Sequence, residues 1–126
     1  MAGLGTRDAL RAVADHLYAT VTDPSGIALF RIVIAESARQ PDLGRQLYEA
    51  GPDAGRRIMA SFIAGEAAKG NLEVDDPDEA AVYFFNMLLG DDQIRRLCGL
   101  PVSAADKAHR HIERTLDAFL RLYAPR

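Results

Sequence analysis

The stretch Asp76-Pro77-Asp78-Glu79-Ala80-Ala81-Val82-Tyr83-Phe84-Phe85-Asn86-Met87-Leu88-Leu89-Gly90 decides the fold. It opens with the strongest helix-start signal in the chain: an Asp cap, a proline at the first helical position and a carboxylate at the third, able to reach back to the cap. A long helix follows, and its apolar side chains spread over roughly 240° of the circumference in a helical projection. That arc is too wide for one core contact. The helix must pack on two sides, one against its own bundle and one against something else, and a second copy of the chain is the expected cover.

Outward from this helix the periodicity is helical nearly everywhere and strand alternation is absent. A first helix is predicted from Thr6 as its cap, with Leu10, Val13, Leu17 and Val21 on one stripe, stopping near Asp23. Asp23-Pro24 opens a second, apolar on all sides through Ile27, Phe30, Ile32, Val33, Ile34 and Ala38. Gln40-Pro41 breaks it, a short helix with Leu43 and Leu47 runs to Gly51, and Pro52 restarts the chain. The next helix groups Ile58, Met59, Phe62 and Ile63 and ends at Lys69-Gly70. Gly90 with Asp91-Asp92 softens the long helix. Ser103, with Asp106 three residues on, caps the last, whose Ala108, Ile112, Leu116, Phe119 and Tyr123 share one face opposite Lys107, Arg110, Arg114, Asp117 and Arg121. The prediction is an all-α antiparallel bundle of five main helices plus one short helix, a single domain over residues 1–126 with 1–5 frayed.

Composition narrows the function. The chain has 126 residues, 48% hydrophobic and 26% charged, as expected of one globular core rather than a disordered tail. Lys plus Arg total 15 against 18 Asp plus Glu, a net charge of −3, so no basic excess is available to displace counterions from phosphate, and DNA or RNA binding by this chain alone is not expected. One cysteine, Cys98, excludes an internal disulfide and reads as a small packing residue; with no signal-like start, a cytoplasmic protein is expected. Arg31, Glu36, Asn86 and Asp91 interrupt the two most apolar runs, so no membrane span is expected.

Chemistry-bearing motifs are scarce. His109 and His111 are two apart on a helix and point to different sides, so they do not chelate one metal; His109 with Glu113 reads as a surface pair. No nucleotide loop, nucleophile elbow or di-metal helix motif occurs, and neither catalysis nor a cofactor is expected. Phe30, Phe62, Phe84 and Phe85 are core by default. The alternative is an apolar pocket among them and the small residues Ala35, Gly55, Ala60 and Gly65, with Arg31, Glu36 and Asn86 as orienting polar groups.

The segment Ala28-Leu29-Phe30-Arg31-Ile32-Val33-Ile34-Ala35-Glu36-Ser37-Ala38-Arg39-Gln40-Pro41-Asp42-Leu43 resembles one common in C-terminal domains of TetR-family transcriptional repressors, particularly the AefR-like group. Leu47-Tyr48-Glu49-Ala50-Gly51-Pro52, Lys69-Gly70-Asn71-Leu72, Asp75 to Ala81 and Phe84 to Gly90 follow in the order of that domain, so the resemblance runs from about Asp8 to Pro125. It implies that the earlier helices form a ligand-sensing bundle, while the last two pair with their symmetry mates in a four-helix interface of a homodimer. The candidate pocket for a small, mostly apolar effector is then Phe30, Arg31, Ile34, Met59, Phe62, Phe84, Asn86 and Met87. The candidate interface is Phe85, Leu88, Leu89, Ala108, Ile112, Thr115, Leu116 and Phe119. Such repressors reach DNA through an N-terminal helix-turn-helix domain, which these residues do not contain; the sequence reads as a piece of a longer repressor or a stand-alone domain. A purely structural homodimerisation module with a solid core is the competing expectation.

Overall fold

The structure, a computed structural model, describes residues 5–102 and 104–126. Six α-helices follow one another: α1 (Thr6–Val21), α2 (Pro24–Ser37), the short α3 (Pro41–Tyr48), α4 (Ala54–Ala68), α5 (Pro77–Leu97) and α6 (Ala105–Tyr123). No strand occurs among the described residues. The expected cap at Ser103 and the fraying of residues 1–4 lie outside the described residues; α6 begins after Ala104.

The local signals act as their chemistry dictates. The Asp23 carboxylate accepts from the amides of Ser25 and Gly26, and that of Asp76 accepts from the Glu79 amide at 3.2 Å, satisfying otherwise orphaned donors at the starts of α2 and α5. The α1 cap is Gly5, one residue before the expected Thr6, whose hydroxyl instead donates to Glu66 at 2.7 Å. That contact, with Lys69 and Asn71, holds the buried Glu66 carboxyl below its ordinary pKa and ties the start of α1 to the end of α4. Pro52 does not restart the chain. A π-helical turn over Glu49–Asp53 carries α3 directly into α4. A proline ring clashes with the carbonyl four residues back and has no N–H to give it; the wider turn accommodates both.

The core is built around α5, which packs on α4, α6, α2 and α1. Ala80, Ala81, Phe84 and Leu88 are buried there with Leu10 and Ala14 of α1, Met59, Ala60 and Ile63 of α4, Leu72, and Ile112, Leu116 and Phe119 of α6. The rings of Phe84 and Phe119 meet edge to face at 5.2 Å. Packing on several sides absorbs most of the wide apolar arc of α5, which departs from helical geometry at Gly90. The second helix is not buried all round: Val33 points inward, while Leu29, Ile32 and Ile34 are exposed.

Two long-range devices fix the outer helices. Arg31 of α2 donates through Nε to the Leu97 carbonyl at 2.8 Å and lies over Gly99, whose φ of 73° and lack of a side chain let the chain turn there. A Cβ at Gly99 would sit 2.9 Å from the Arg31 guanidinium. Gly99→Ala is therefore expected to cost about 1–2 kcal/mol, read as a lowered urea midpoint with an unchanged slope.

The second device is a clamp between α1 and α6. Arg11 bonds Glu113 through Nε at 2.7 Å and Nη2 at 2.9 Å, and Arg7 joins Glu113 at 3.1 Å and Asp117 at 2.7 Å. His109 therefore does not claim Glu113. Arg11, then Arg7, pull the Glu113 carboxyl from 4.5 down to about 2. Because the folded pKa lies below the unfolded one, the clamp stabilises fully above pH 4.5 and is lost as pH falls toward 2. The difference in melting temperature between wild type and Glu113→Gln should be greatest at neutral pH and shrink across that window; a difference independent of pH would contradict the clamp.

Candidate functional site

The predicted pocket residues do not converge. Met59 and Phe84 lie in the solid core, and Phe62 and Met87 pack against it, half-buried. Arg31 is spent on the Leu97 carbonyl, and Asn86 is exposed on the outer side of α5. Glu36 pairs with Arg39 on the surface. Phe30 and Ile34 do come together. With Val33, Leu47, Tyr48 and Pro52 they line an apolar cleft of about 140 Å³ in the corner between α2, α3 and the π-helical turn. The corner is drawn tight by Gly44, where a Cβ would meet that of Ser37 at 3.0 Å, and its far wall is the turn imposed by Pro52.

Of the predicted interface residues, five are closed inside the protomer and three stay partly exposed. Leu88, Ile112, Thr115, Leu116 and Phe119 are buried inside the protomer, and Phe85 and Leu89 pack against its core, with the Phe85 ring beside Gly55. The buried part of the α6 stripe, Ile112, Leu116 and Phe119, fills its own bundle. Ala108 lines clefts near the start of α6. What α5 and α6 leave open is a different face. Tyr83 is 45% and Val82 39% exposed on α5, beside Asn86, and Leu122 is 61% exposed on α6. His111 Nε2 donates to the Leu88 carbonyl at 2.8 Å, which identifies the flank of α6 turned toward α5. Ala118 and Leu122 lie about two and three turns farther along that flank.

Sequence reasoning missed a polar group where α1 meets the far half of α5. Tyr18 donates its hydroxyl to Asp92, which also pairs with Arg96, while Asp91 pairs with Arg95 at 2.8 Å. The two i, i+4 pairs on α5 were legible as spacing; the approach of Tyr18, 74 residues away, was not. Burial, then the Asp92 carboxylate, push the Tyr18 hydroxyl above its ordinary pKa. Cys98 is exposed rather than packed. Among the described residues no group of three or more His, Cys, Asp or Glu is placed to hold a metal ion, and no single helix is long and apolar enough to cross a membrane.

No curated protein matches this chain. Among solved structures it superposes on a TetR-family transcriptional regulator from Mesorhizobium loti with a TM-score of 0.91 at 27% identity, covering 98% of this chain and 61% of that one. The flavonoid-responsive regulator FrrA gives a TM-score of 0.87 at 35% identity, covering 97% and 62%. A TetR regulator from Agrobacterium tumefaciens gives 0.80 at 28%, covering 94% and 60%. The chain thus spans about three fifths of the length of the structures it matches. Residues 8–125 match the family described as the AefR-like transcriptional repressor C-terminal domain. By that match over nearly its whole length, the chain belongs to the AefR-like C-terminal domains of TetR-family transcriptional regulators.

Proposed function

We propose that this chain is the effector-sensing and dimerisation part of a TetR-type repressor acting in the cytoplasm, which reaches DNA only through a helix-turn-helix domain outside these residues. The observation that carries the sensing half is the apolar corner lined by Phe30, Val33, Ile34, Leu47, Tyr48 and Pro52. Its volume of about 140 Å³ is close to the ~150 Å³ of an apolar protein cavity known to hold benzene, so it takes one ring or a short branched chain of a small, mostly apolar effector. Three elements meet there, α2, α3 and the π-helical turn, so a seated ring bears on the angle between α2 and α3.

The 35%-identical regulator FrrA is named as flavonoid-responsive, which makes fused or linked aromatic rings the first effector class to assay. Calorimetric titration with unsubstituted and hydroxylated flavones tests the reading. Binding is expected for the wild type and its loss for Phe30→Trp, which fills the corner with the fold intact. Equal binding to both proteins would move the effector elsewhere. The solid packing around Met59 and Phe84 favours a second reading, a homodimerisation module without a ligand, and absence of binding across an effector panel would support it.

The dimerisation half rests on the open α5–α6 face. Val82, Tyr83 and Leu122 place three large apolar side chains at the surface, and an isologous contact buries each of them twice over.

A further inference from the structure

The apolar corner and the open α5–α6 face lie at the two ends of one chain of ionic contacts. The far wall of the corner is the π-helical turn, through Pro52, and the last residue of that turn is Asp53. Asp53 accepts from Arg56 through Nη2 at 2.7 Å and Nε at 3.2 Å, and Arg57 approaches its other oxygen at 3.5 Å. Through Nη1 the same Arg56 guanidinium donates to Asp78, in the first turn of α5. The Asp53 and Arg56 side chains are only 23% and 24% exposed, so this junction is not a freely solvated pair. One turn after Asp78 come Val82 and Tyr83, the exposed apolar residues of α5. Gly55 tightens the same junction: without a side chain there, the Phe85 ring of α5 lies 3.8 Å from where a Cβ would stand. The π-helical turn itself is loosely held. Glu49, Ala50, Gly51 and Pro52 are exposed, and Glu49 pairs with Arg45 of α3 at 3.4 Å. Few buried contacts mean low local stability, so whatever fills the corner orders the turn it packs against.

We infer that a filled corner tightens the homodimer, with Arg56 carrying the effect from the π-helical turn to the start of α5; this rests on the effector corner and the dimer face proposed above. Packing against Pro52 fixes the turn, the turn fixes Asp53, and Arg56 then holds Asp78 and the first turns of α5 in one position. Val82 and Tyr83 are ordered before the second copy arrives, so association loses less conformational freedom. The linkage is reciprocal. The dimer holds a ring in the corner more tightly than the monomer does, by the same factor. A second bond between the walls of the corner and α5, from Arg31 of α2 to the Leu97 carbonyl, reaches the opposite end of the helix, away from Val82 and Tyr83. Cutting Arg56 therefore separates the two routes.

The test needs no identified effector. Phe30→Trp fills the corner from within the chain, and sedimentation equilibrium gives the dimer dissociation constant. Phe30→Trp is expected to lower that constant about tenfold, within the range usual for coupled sites. Arg56→Gln leaves the corner lining intact and should abolish the difference. Should Arg56→Gln fail to fold by circular dichroism, Asp78→Asn cuts the α5 arm alone at an exposed position, and the difference should vanish there too. A dimer constant unmoved by Phe30→Trp, or moved equally with and without Arg56, overturns the proposal. A parent chain that is monomeric throughout overturns the dimer face along with it. Titrating the parent with flavone reports on the effector reading alone, because the Phe30→Trp comparison does not depend on what fills the corner in the parent.

Discussion

Replacing Phe119 with alanine is expected to remove about 3–5 kcal/mol of stability, the cost of emptying a large aromatic site in a packed core. Phe119 is fully buried, meets Phe84 edge to face, and stacks at a tilt on Tyr123 at 4.8 Å. It joins α5 to α6 at the point where both also belong to the core shared with α1 and α4. A domain of this size holds only about 5–15 kcal/mol in all, so the variant should melt tens of degrees lower or be partly unfolded at room temperature. Urea unfolding followed by circular dichroism measures it. A loss below about 1 kcal/mol would mean that Phe119 faces outward, as an interface residue would, and that the assignment of the α6 stripe to the protomer core is wrong.

The second large effect concerns assembly. Tyr83→Arg together with Leu122→Arg should convert a dimer to a monomer at micromolar concentration, because each two-fold contact would then bury four unpaired cations. Both side chains are substantially exposed in the protomer, so the monomer should keep its helicity and cooperative melt. At roughly 1.4 kcal/mol per tenfold in affinity, even two poorly solvated charges weaken the dimer by a factor on the order of a thousand. Sedimentation velocity distinguishes the outcomes. Phe85→Arg would be a poor substitute, since Phe85 packs on Gly55 and the core, and its loss would be read as unfolding.

What was legible in the sequence is whatever is decided within a few residues. Asp23-Pro24 and Asp76-Pro77 fixed helix starts because a cap is a bond between neighbours, and Lys69-Gly70 fixed an end because Gly70 takes the positive φ, 82°, that closes a helix. The spacing of Ile112, Leu116 and Phe119 correctly announced one buried face on α6. It could not say what buries that face, and a second copy was assigned work that α1, α4 and α5 perform. The arc of α5 is covered on several sides by α4, α6, α2 and α1, while Val82 and Tyr83 within it stay exposed, the part that the proposed dimer contact would cover. Pro52 read as a break because proline excludes the ordinary α-helical bond; that a π-helical turn bypasses the exclusion depends on how α3 and α4 are held apart. The clamp of Arg7 and Arg11 on Glu113 and the bond from Tyr18 to Asp92 join residues far apart in the chain, and no local pattern marks them.

Phe30 and Ile34 show the middle ground. Their place in a recurring family segment drew attention to them, and the structure seats both at one apolar corner, while Met59 and Phe84, equally apolar, went to the solid core. The difference is position: α2 has one side covered by α3 and another left open, whereas α4 and α5 close on each other.

Native mass spectrometry of the purified chain, with and without an added flavone, tests the central claim most directly, because one spectrum reports both assembly and ligand. The account predicts a homodimer that takes up flavone, and that reverts to monomer in the Tyr83→Arg, Leu122→Arg variant. A stable monomer that takes up no member of the panel would contradict it.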